Sequence, residues 1–153
     1  GSIEAAYAKM EKRPDILVCS YHGMPERYLQ QGDPYHCQCQ KTTRLLRERL
    51  GWASTDIITT FQSKFGPEEW LKPYTVDHVA DLAKQGKKSI AVVAPAFSAD
   101  CIETLEEINE EIRESFEHAG GESFTYIPCL NDDHAHIAAL SSVVEENLKG
   151  WLD

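Results

Sequence analysis

Short apolar runs alternate with amphipathic segments along this chain. The apolar runs are bounded by turn residues and have the length typical of buried β-strands. They cover residues 16–20, 56–62, 90–93 and 123–129. Segments with apolar residues at helical spacing follow them at 42–50, 75–85, 102–116 and 134–152. Because strand and helix alternate in this way, the pattern predicts an α/β fold: a four-stranded parallel sheet flanked by helices, as a Rossmann-like three-layer αβα sandwich.

The ends of the chain and one internal segment complete this prediction. The pattern predicts a helical lead-in over residues 1–13 and a single α/β domain over residues 14–153. Residues 26–35 predict a loop because a Gly-Asp-Pro turn lies within them. The last helix, 134–152, should turn its apolar side chains towards the core. These are Ile137, Leu140, Val144, Leu148 and Trp151.

The helix predicted at 102–116 has an unusual acidic face. Its apolar residues form one stripe on an α-helix: Ile102, Leu105, Ile108, Ile112 and Phe116. Glu103, Glu107 and Glu111 recur every fourth residue, so their like charges repel by a few tenths of a kcal/mol per pair. A solvated acidic face explains this row. The alternative is a row of hard oxygen donors that binds or conducts a divalent cation.

Composition and charge narrow the classes of protein. A chain of 153 residues with 42% hydrophobic content fits one compact domain. A net charge of −10 argues against nucleic acid as a partner. No apolar run is long enough for a transmembrane segment. The five cysteines form no zinc-type CxxC pair, and reduced thiols in a cytoplasmic protein explain them most simply.

Polar residues follow three of the predicted strands. His22 lies after the first strand, residues 62–64 after the second and 98–100 after the third, with Glu103 just inside the next helix. Because these loops share the carboxyl edge of a parallel sheet, where open α/β folds bind ligands, we expect the groups to converge. The usual glycine-rich nucleotide motifs and the GxSxG hydrolase elbow do not occur.

His22 and Trp70 each have a structural and a functional interpretation. His22 is a candidate base or metal ligand, or a loop histidine that only hydrogen-bonds the backbone. Trp70 either forms the wall of a flat apolar pocket or packs a long loop onto the body. The Cys37-X-Cys39 spacing is weak for zinc and lacks a second pair.

Five motifs span nearly the whole chain. In chain order they are SYHGMP at 20–25, GDPY at 32–35, FQSKFGP at 61–67 with WLKPYT at 70–75, PAFSADCIETLEE at 95–107 and YIPCLN at 126–131. Together they resemble the carboxyl-terminal half of a bacterial-type ferrochelatase. The resemblance implies a chelatase-type αβα sandwich that is one half of a two-domain enzyme, with the amino-terminal partner domain absent from this chain.

The resemblance also implies an activity and a set of site residues. Ferrochelatases are lyases that insert Fe²⁺ into protoporphyrin IX, the terminal step of haem and porphyrin biosynthesis. His22 and Glu103 match the catalytic pair. The substrate-binding residues predicted in this way are Gln62, Ser63, Lys64 and Trp70, which match residues near the porphyrin, and Tyr21, which stands where other members carry a different residue. The matching metal-binding residues are His22, Glu103, Glu107 and Glu111, the glutamates standing on a helix that the family distorts to π form and along which iron is brought in.

Further expectations follow from the resemblance. Fe²⁺ is a substrate, no cofactor is permanently bound, and no iron–sulfur cluster is expected, because the chain ends at Asp153 without the cysteine-bearing extension of many members. The partners are protoporphyrin IX, Fe²⁺ and the missing amino-terminal domain, without which the chain should be inactive. A chelatase for another tetrapyrrole, such as coproporphyrin, and a non-catalytic metal- or porphyrin-binding module are the alternatives.

Overall fold

A computed structural model describes residues 1–151 of the chain, so the predicted helix end at Leu152 and the last residue, Asp153, lie outside it. Four strands form one sheet: β1 (Ile16–His22), β2 (Ile57–Gln62), β3 (Ser89–Val93) and β4 (Ser123–Ile127). They are all parallel, in the order β2-β1-β3-β4. The predicted four-stranded parallel sheet is confirmed.

The register of the sheet determines which side chains meet at its carboxyl edge. β1 pairs with β2 from Leu17↔Ile57 through His22↔Gln62, so the last residues of the two strands stand side by side. The β1–β3 pairing ends three residues earlier, at Cys19↔Val93. His22 and Gln62 therefore lie at the end of the sheet, beyond the last pair that β3 makes with β1.

Helices cover both faces of the sheet. They are α1 (Ser2–Tyr7), α2 (Glu26–Gln30), α3 (Tyr35–Leu50), α4 (Thr75–Lys84), a π-helix (Glu103–Ile112), α5 (Arg113–His118) and α6 (His134–Asn147). Val18 of β1 belongs to a core formed with α4, the π-helix and α5, whereas Leu17 belongs to a core formed with α1 and α3. Because alternate residues of one strand face opposite layers, the three-layer sandwich is confirmed.

The predicted loop at 26–35 is wrong in part. Residues Glu26–Gln30 form α2, and α3 begins at Tyr35, well before the predicted start at 42. The Asp33 carboxylate accepts a hydrogen bond from the Tyr35 N–H at 2.8 Å. This side-chain acceptor and the fixed φ of Pro34 let the helix start directly after the turn.

The inward orientation predicted for the last helix is also wrong. α6 is capped by Asp133, but none of its side chains is buried against the rest of the described chain. Its apolar residues are exposed: Ile137, Leu140, Val143, Val144 and Leu148, with Trp151 just beyond them. An amphipathic pattern predicts that a helix has a partner surface, but it does not say on which domain that surface lies.

The helical lead-in is part of the same compact unit as the sheet. Ile3 of α1 is buried in the core that contains Leu17 and Val93. Within residues 1–151, no helix has both the length and the apolar content needed to cross a bilayer.

Candidate functional site at the carboxyl edge of the sheet

His22 ends β1 with a fixed ring orientation. Its Nδ1 lies 2.7 Å from the Gly23 carbonyl oxygen. Since a carbonyl only accepts, Nδ1 carries the proton in this bond, and the lone pair of the neutral ring is on Nε2. The Trp70 and Phe97 rings are its aromatic neighbours, each with a centroid 6.4 Å from that of the imidazole and a tilted plane. The half-buried His22 therefore presents a basic nitrogen within an aromatic wall.

Gly23 is required by close packing. Its N–H donates to the Gln62 carbonyl at 2.7 Å. A Cβ at this position would lie 2.6 Å from that carbonyl oxygen and 3.0 Å from the Trp70 ring. The loop after β1 and the loop after β2 thus approach each other more closely than any larger residue permits.

We expect Gly23→Ala to destabilise the chain. The added methyl group must push the two loops apart, and overpacking of this kind costs about 1–3 kcal/mol. Thermal unfolding should show it as a fall in Tm of about 2–4 °C per kcal/mol. An unchanged Tm would show that the loop yields at no cost and that the contact does not hold His22.

Gln62 and Glu107 join the end of β2 to the π-helix. The Gln62 amide is 3% exposed and donates from Nε2 to the Glu103 carbonyl at 2.7 Å and to the Glu107 carboxylate at 3.0 Å. The backbone N–H and hydroxyl of Ser63 donate to the same carboxylate, at 2.5 Å each. Glu107 is therefore an acceptor for three donors of the neighbouring strand end.

Glu103 is the first residue of the π-helix, and its carboxylate is favoured in the ionised form. Hydrogen bonds from the Cys101 side chain and from its own backbone N–H lower the pKa of Glu103, and the charge of a protonated His22 lowers it further. Gln62 links the two residues in space, because its carbonyl accepts from Gly23, next to His22, and its side-chain amide donates to the Glu103 carbonyl.

The row of glutamates lines an open groove of about 260 Å³. Its walls are Ile102, Glu103, Glu106, Glu107 and Glu111. Within residues 1–151, no three Asp, Glu, His or Cys side chains come together as a preformed metal site. The residues predicted as metal ligands are spread out: Glu103, Glu107 and Glu111 line the groove, and His22 ends β1.

The winding of this helix corrects the predicted apolar stripe. Ile108, Ile112 and Phe116 are buried as expected, but Ile102 is 67% exposed and Leu105 is 51% exposed. The i→i+5 hydrogen bonds of a π-helix wind it more loosely than about 3.6 residues per turn, so residues four apart stay on one face. The π form that the resemblance implied is present over Glu103–Ile112.

The other predicted substrate-binding residues lie in different places. Trp70 is half-buried beside His22, and Ser63 borders the groove through its bonds to Glu107. Lys64 is exposed, with its ammonium 4.8 Å from the centre of the Tyr74 ring. Tyr21 is 1% exposed in the α1–α3 core and bonds to Thr43 at 3.0 Å, so the structure does not bring it to the groove.

Asp100 is a site residue whose role was not predicted from the sequence. Its carboxylate accepts hydrogen bonds from the Tyr126 hydroxyl, the Cys129 N–H at 3.1 Å and the Asn131 amide at 2.7 Å. Burial alone would raise the pKa of Asp100, but these bonds outweigh it and hold the pKa below the ordinary value of 3.8. Asp100 thus fastens the loop after β4 to the segment that leads into the π-helix.

We expect Asp100→Asn to lower the free energy of unfolding at pH 7 by about 1–3 kcal/mol, because it removes the charge that strengthens these bonds. Since the folded pKa is depressed, this stability is present above pH 3.8 and is lost as the pH falls through the folded pKa. Urea unfolding at several pH values from 7 to 3 should show the difference from the unmutated chain shrinking. A constant difference would mean that the carboxylate charge contributes nothing.

The geometry defines a class of protein. It is an open parallel α/β sheet whose site lies at the carboxyl edge, with a histidine at one strand end and a row of glutamates on the adjoining helix. The fold is similar to that of a CbiX protein from Marinobacter aquaeolei VT8, with a TM-score of 0.56, covering 89% of this chain and 98% of that one. At 18% identity, this likeness shows the fold alone.

Comparison of the sequence identifies the family. The ferrochelatase family model matches residues 1–148. Ferrochelatase of Rhodobacter capsulatus is 74% identical over 152 residues, which cover 99% of this chain and 43% of that protein. Ferrochelatase of Allorhizobium ampelinum is 56% identical over 151 residues, covering 99% and 44%. The chain belongs to the ferrochelatase family and spans less than half the length of these relatives.

Proposed function

We propose that this chain is the carboxyl-terminal domain of a ferrochelatase, a lyase that inserts Fe²⁺ into protoporphyrin IX in the terminal step of haem biosynthesis. The observation that carries the proposal is that Gln62 bonds both Gly23, next to His22, and the Glu103 carbonyl at the carboxyl edge, while the Nδ1 bond to Gly23 leaves the basic Nε2 of His22 available. Membership of the family supports the same activity.

Metallation requires two pyrrole N–H protons to leave the macrocycle as Fe²⁺ binds its nitrogens. A neutral imidazole is a suitable proton acceptor near pH 7, and His22 Nε2 takes the two protons in turn, releasing the first to solvent water before it accepts the second. Glu103 has a lowered pKa and is therefore the weaker base. Its stable negative charge suits a different task, which is to attract Fe²⁺ and to stabilise His22 once it is protonated.

The walls of the cleft hold the porphyrin beside this pair. Trp70 and Phe97 lie beside the His22 ring and offer flat apolar surface to a macrocycle. The exposed Ile102 adds apolar surface to the acidic groove, and Leu105 is exposed on the same helix. Fe²⁺ enters over Glu111 and reaches Glu103 from the solvent end of the helix.

The domain that the relatives have in addition to the part matched by this chain is the partner that completes the cleft. The exposed apolar face of α6 is the surface that it covers, because a face of this size is otherwise left in water. No cofactor is permanently bound, and the iron is substrate. Five free cysteines fit a reducing compartment, so we assign the protein to the cytoplasm.

The test uses a hybrid enzyme, in which this chain replaces the 152 matching residues of the Rhodobacter capsulatus ferrochelatase. We expect it to insert Fe²⁺ into protoporphyrin IX faster than the uncatalysed reaction. Parallel assays with coproporphyrin distinguish another tetrapyrrole substrate. Porphyrin or Fe²⁺ binding without insertion would instead indicate a non-catalytic binding module.

A further inference from the structure

We propose that Gln62 is a positioning residue that fixes His22 and Glu103 relative to each other, and that Glu107 anchors Gln62 rather than carrying iron. The effect that we predict on the reaction rests on the proposed function. The hydrogen bonds that it invokes are a property of the fold and are testable without any reaction.

The backbone of Gln62 determines where the His22 ring stands. Its carbonyl accepts the Gly23 N–H at 2.7 Å, and the carbonyl of Gly23 in turn accepts the His22 Nδ1–H at 2.7 Å. A displacement of the end of β2 is therefore transmitted through a single residue to the imidazole.

The side chain of Gln62 determines where Glu103 stands. One amide N–H bonds the Glu103 carbonyl at 2.7 Å, and the other bonds the Glu107 carboxylate at 3.0 Å. The amide oxygen accepts the Ser20 hydroxyl at 2.7 Å, which leaves the amide one orientation that satisfies all three partners. Since the same residue also holds Gly23, Gln62 connects both members of the pair.

The hydrogen bonds of Glu107 favour a role in anchoring Gln62 over a role in carrying iron. One carboxylate oxygen accepts the Ser63 N–H, and the other accepts both the Ser63 hydroxyl and Gln62 Nε2. Ser63 has a φ of +61°, a left-handed conformation that costs energy for any residue except glycine. A charge-assisted pair of bonds to one residue offsets that cost. A cation bound by Glu107 would have to displace these donors, so iron capture at this position would loosen the site that it serves.

The two roles predict opposite kinetics for Glu107→Gln in the hybrid enzyme. An anchor positions the reacting groups, so kcat at saturating Fe²⁺ should fall about 10- to 100-fold with KM for Fe²⁺ changed little. A carrier captures iron before the reaction, so KM should rise with kcat preserved. Glu111→Gln, one turn farther out, should show the carrier pattern. Glu110→Gln removes the same charge from an exposed position of the same helix and should leave both constants unchanged.

A second variant tests the connection itself. Gln62→Met keeps the length of the side chain but removes both donors, and kcat should fall by a similar factor. Because Glu107 and Gln62 share one bond, the double variant should lose much less than the product of the two single losses. Independent losses that multiply would overturn the proposal, as would a rise in KM alone for Glu107→Gln.

Amide hydrogen exchange gives a readout that does not depend on activity. In the hybrid enzyme, the peptide that contains the Ser63 N–H should exchange about tenfold faster after Glu107→Gln and at the original rate after Glu110→Gln. Faster exchange in a hybrid that inserts no iron would support the anchor while rejecting the proposed function. Unchanged exchange would reject the anchor even if insertion is robust.

Discussion

Replacing His22 with alanine in the hybrid enzyme should lower kcat for Fe²⁺ insertion by about 100-fold or more. The variant removes the basic Nε2 that the Gly23 bond leaves available at the end of β1. Porphyrin binding should persist, because Trp70 and Phe97 remain as the aromatic walls. The disappearance of porphyrin fluorescence on metallation measures the rate, and fluorescence titration without metal measures binding.

His118→Ala provides the control, since this histidine is exposed in the last turn of α5. Its kcat should equal that of the hybrid enzyme. A His22→Ala enzyme that keeps more than a tenth of kcat would have lost less than about 1.4 kcal/mol of transition-state stabilisation, too little for the sole proton acceptor. That result would remove His22 from the mechanism while leaving the family membership intact.

The hydrophobic pattern was sufficient to predict the sheet. Buried parallel strands appear in the sequence as short apolar runs, and the alternation of strands and helices permits few topologies. His22 and Gln62 were therefore placed at one edge from the sequence, and the register pairs them directly. The same reasoning placed Glu103 at the start of the acidic helix, where the structure has it.

Two features needed tertiary information. An α-helical stripe through Ile102 and Leu105 assumed 3.6 residues per turn, and the looser π-helix exposes both. The role of Glu107 depends on Ser63, which lies 44 residues away in the sequence. No local pattern shows that the two residues bond, so the sequence indicated only a row of carboxylates.

The chain alone should fold but show no measurable insertion. The four strands and the helices on both faces supply two buried cores. The proposed function, however, requires a porphyrin cleft with two walls, of which this chain provides one. The control is the hybrid enzyme under the same conditions. Insertion by the isolated chain at a rate near that of the hybrid would show that the second half is not needed for the reaction.

The exposed face of α6 should make the isolated chain self-associate, since unpartnered apolar surface in water favours burial against another copy. Leu140 and Val144 lie one turn apart on this face and are both exposed. Changing both to serine should shift the isolated chain towards monomer in sedimentation experiments while altering its free energy of unfolding by only about 0.5 kcal/mol. In the hybrid enzyme the same double change should be strongly destabilising, by about 2–5 kcal/mol, because the proposed function buries this face against the other half. Glu145→Ser, an exposed polar change on the same helix, should have little effect in either protein. Equal stability of the hybrid with and without the serine pair would show that α6 does not dock on the second half.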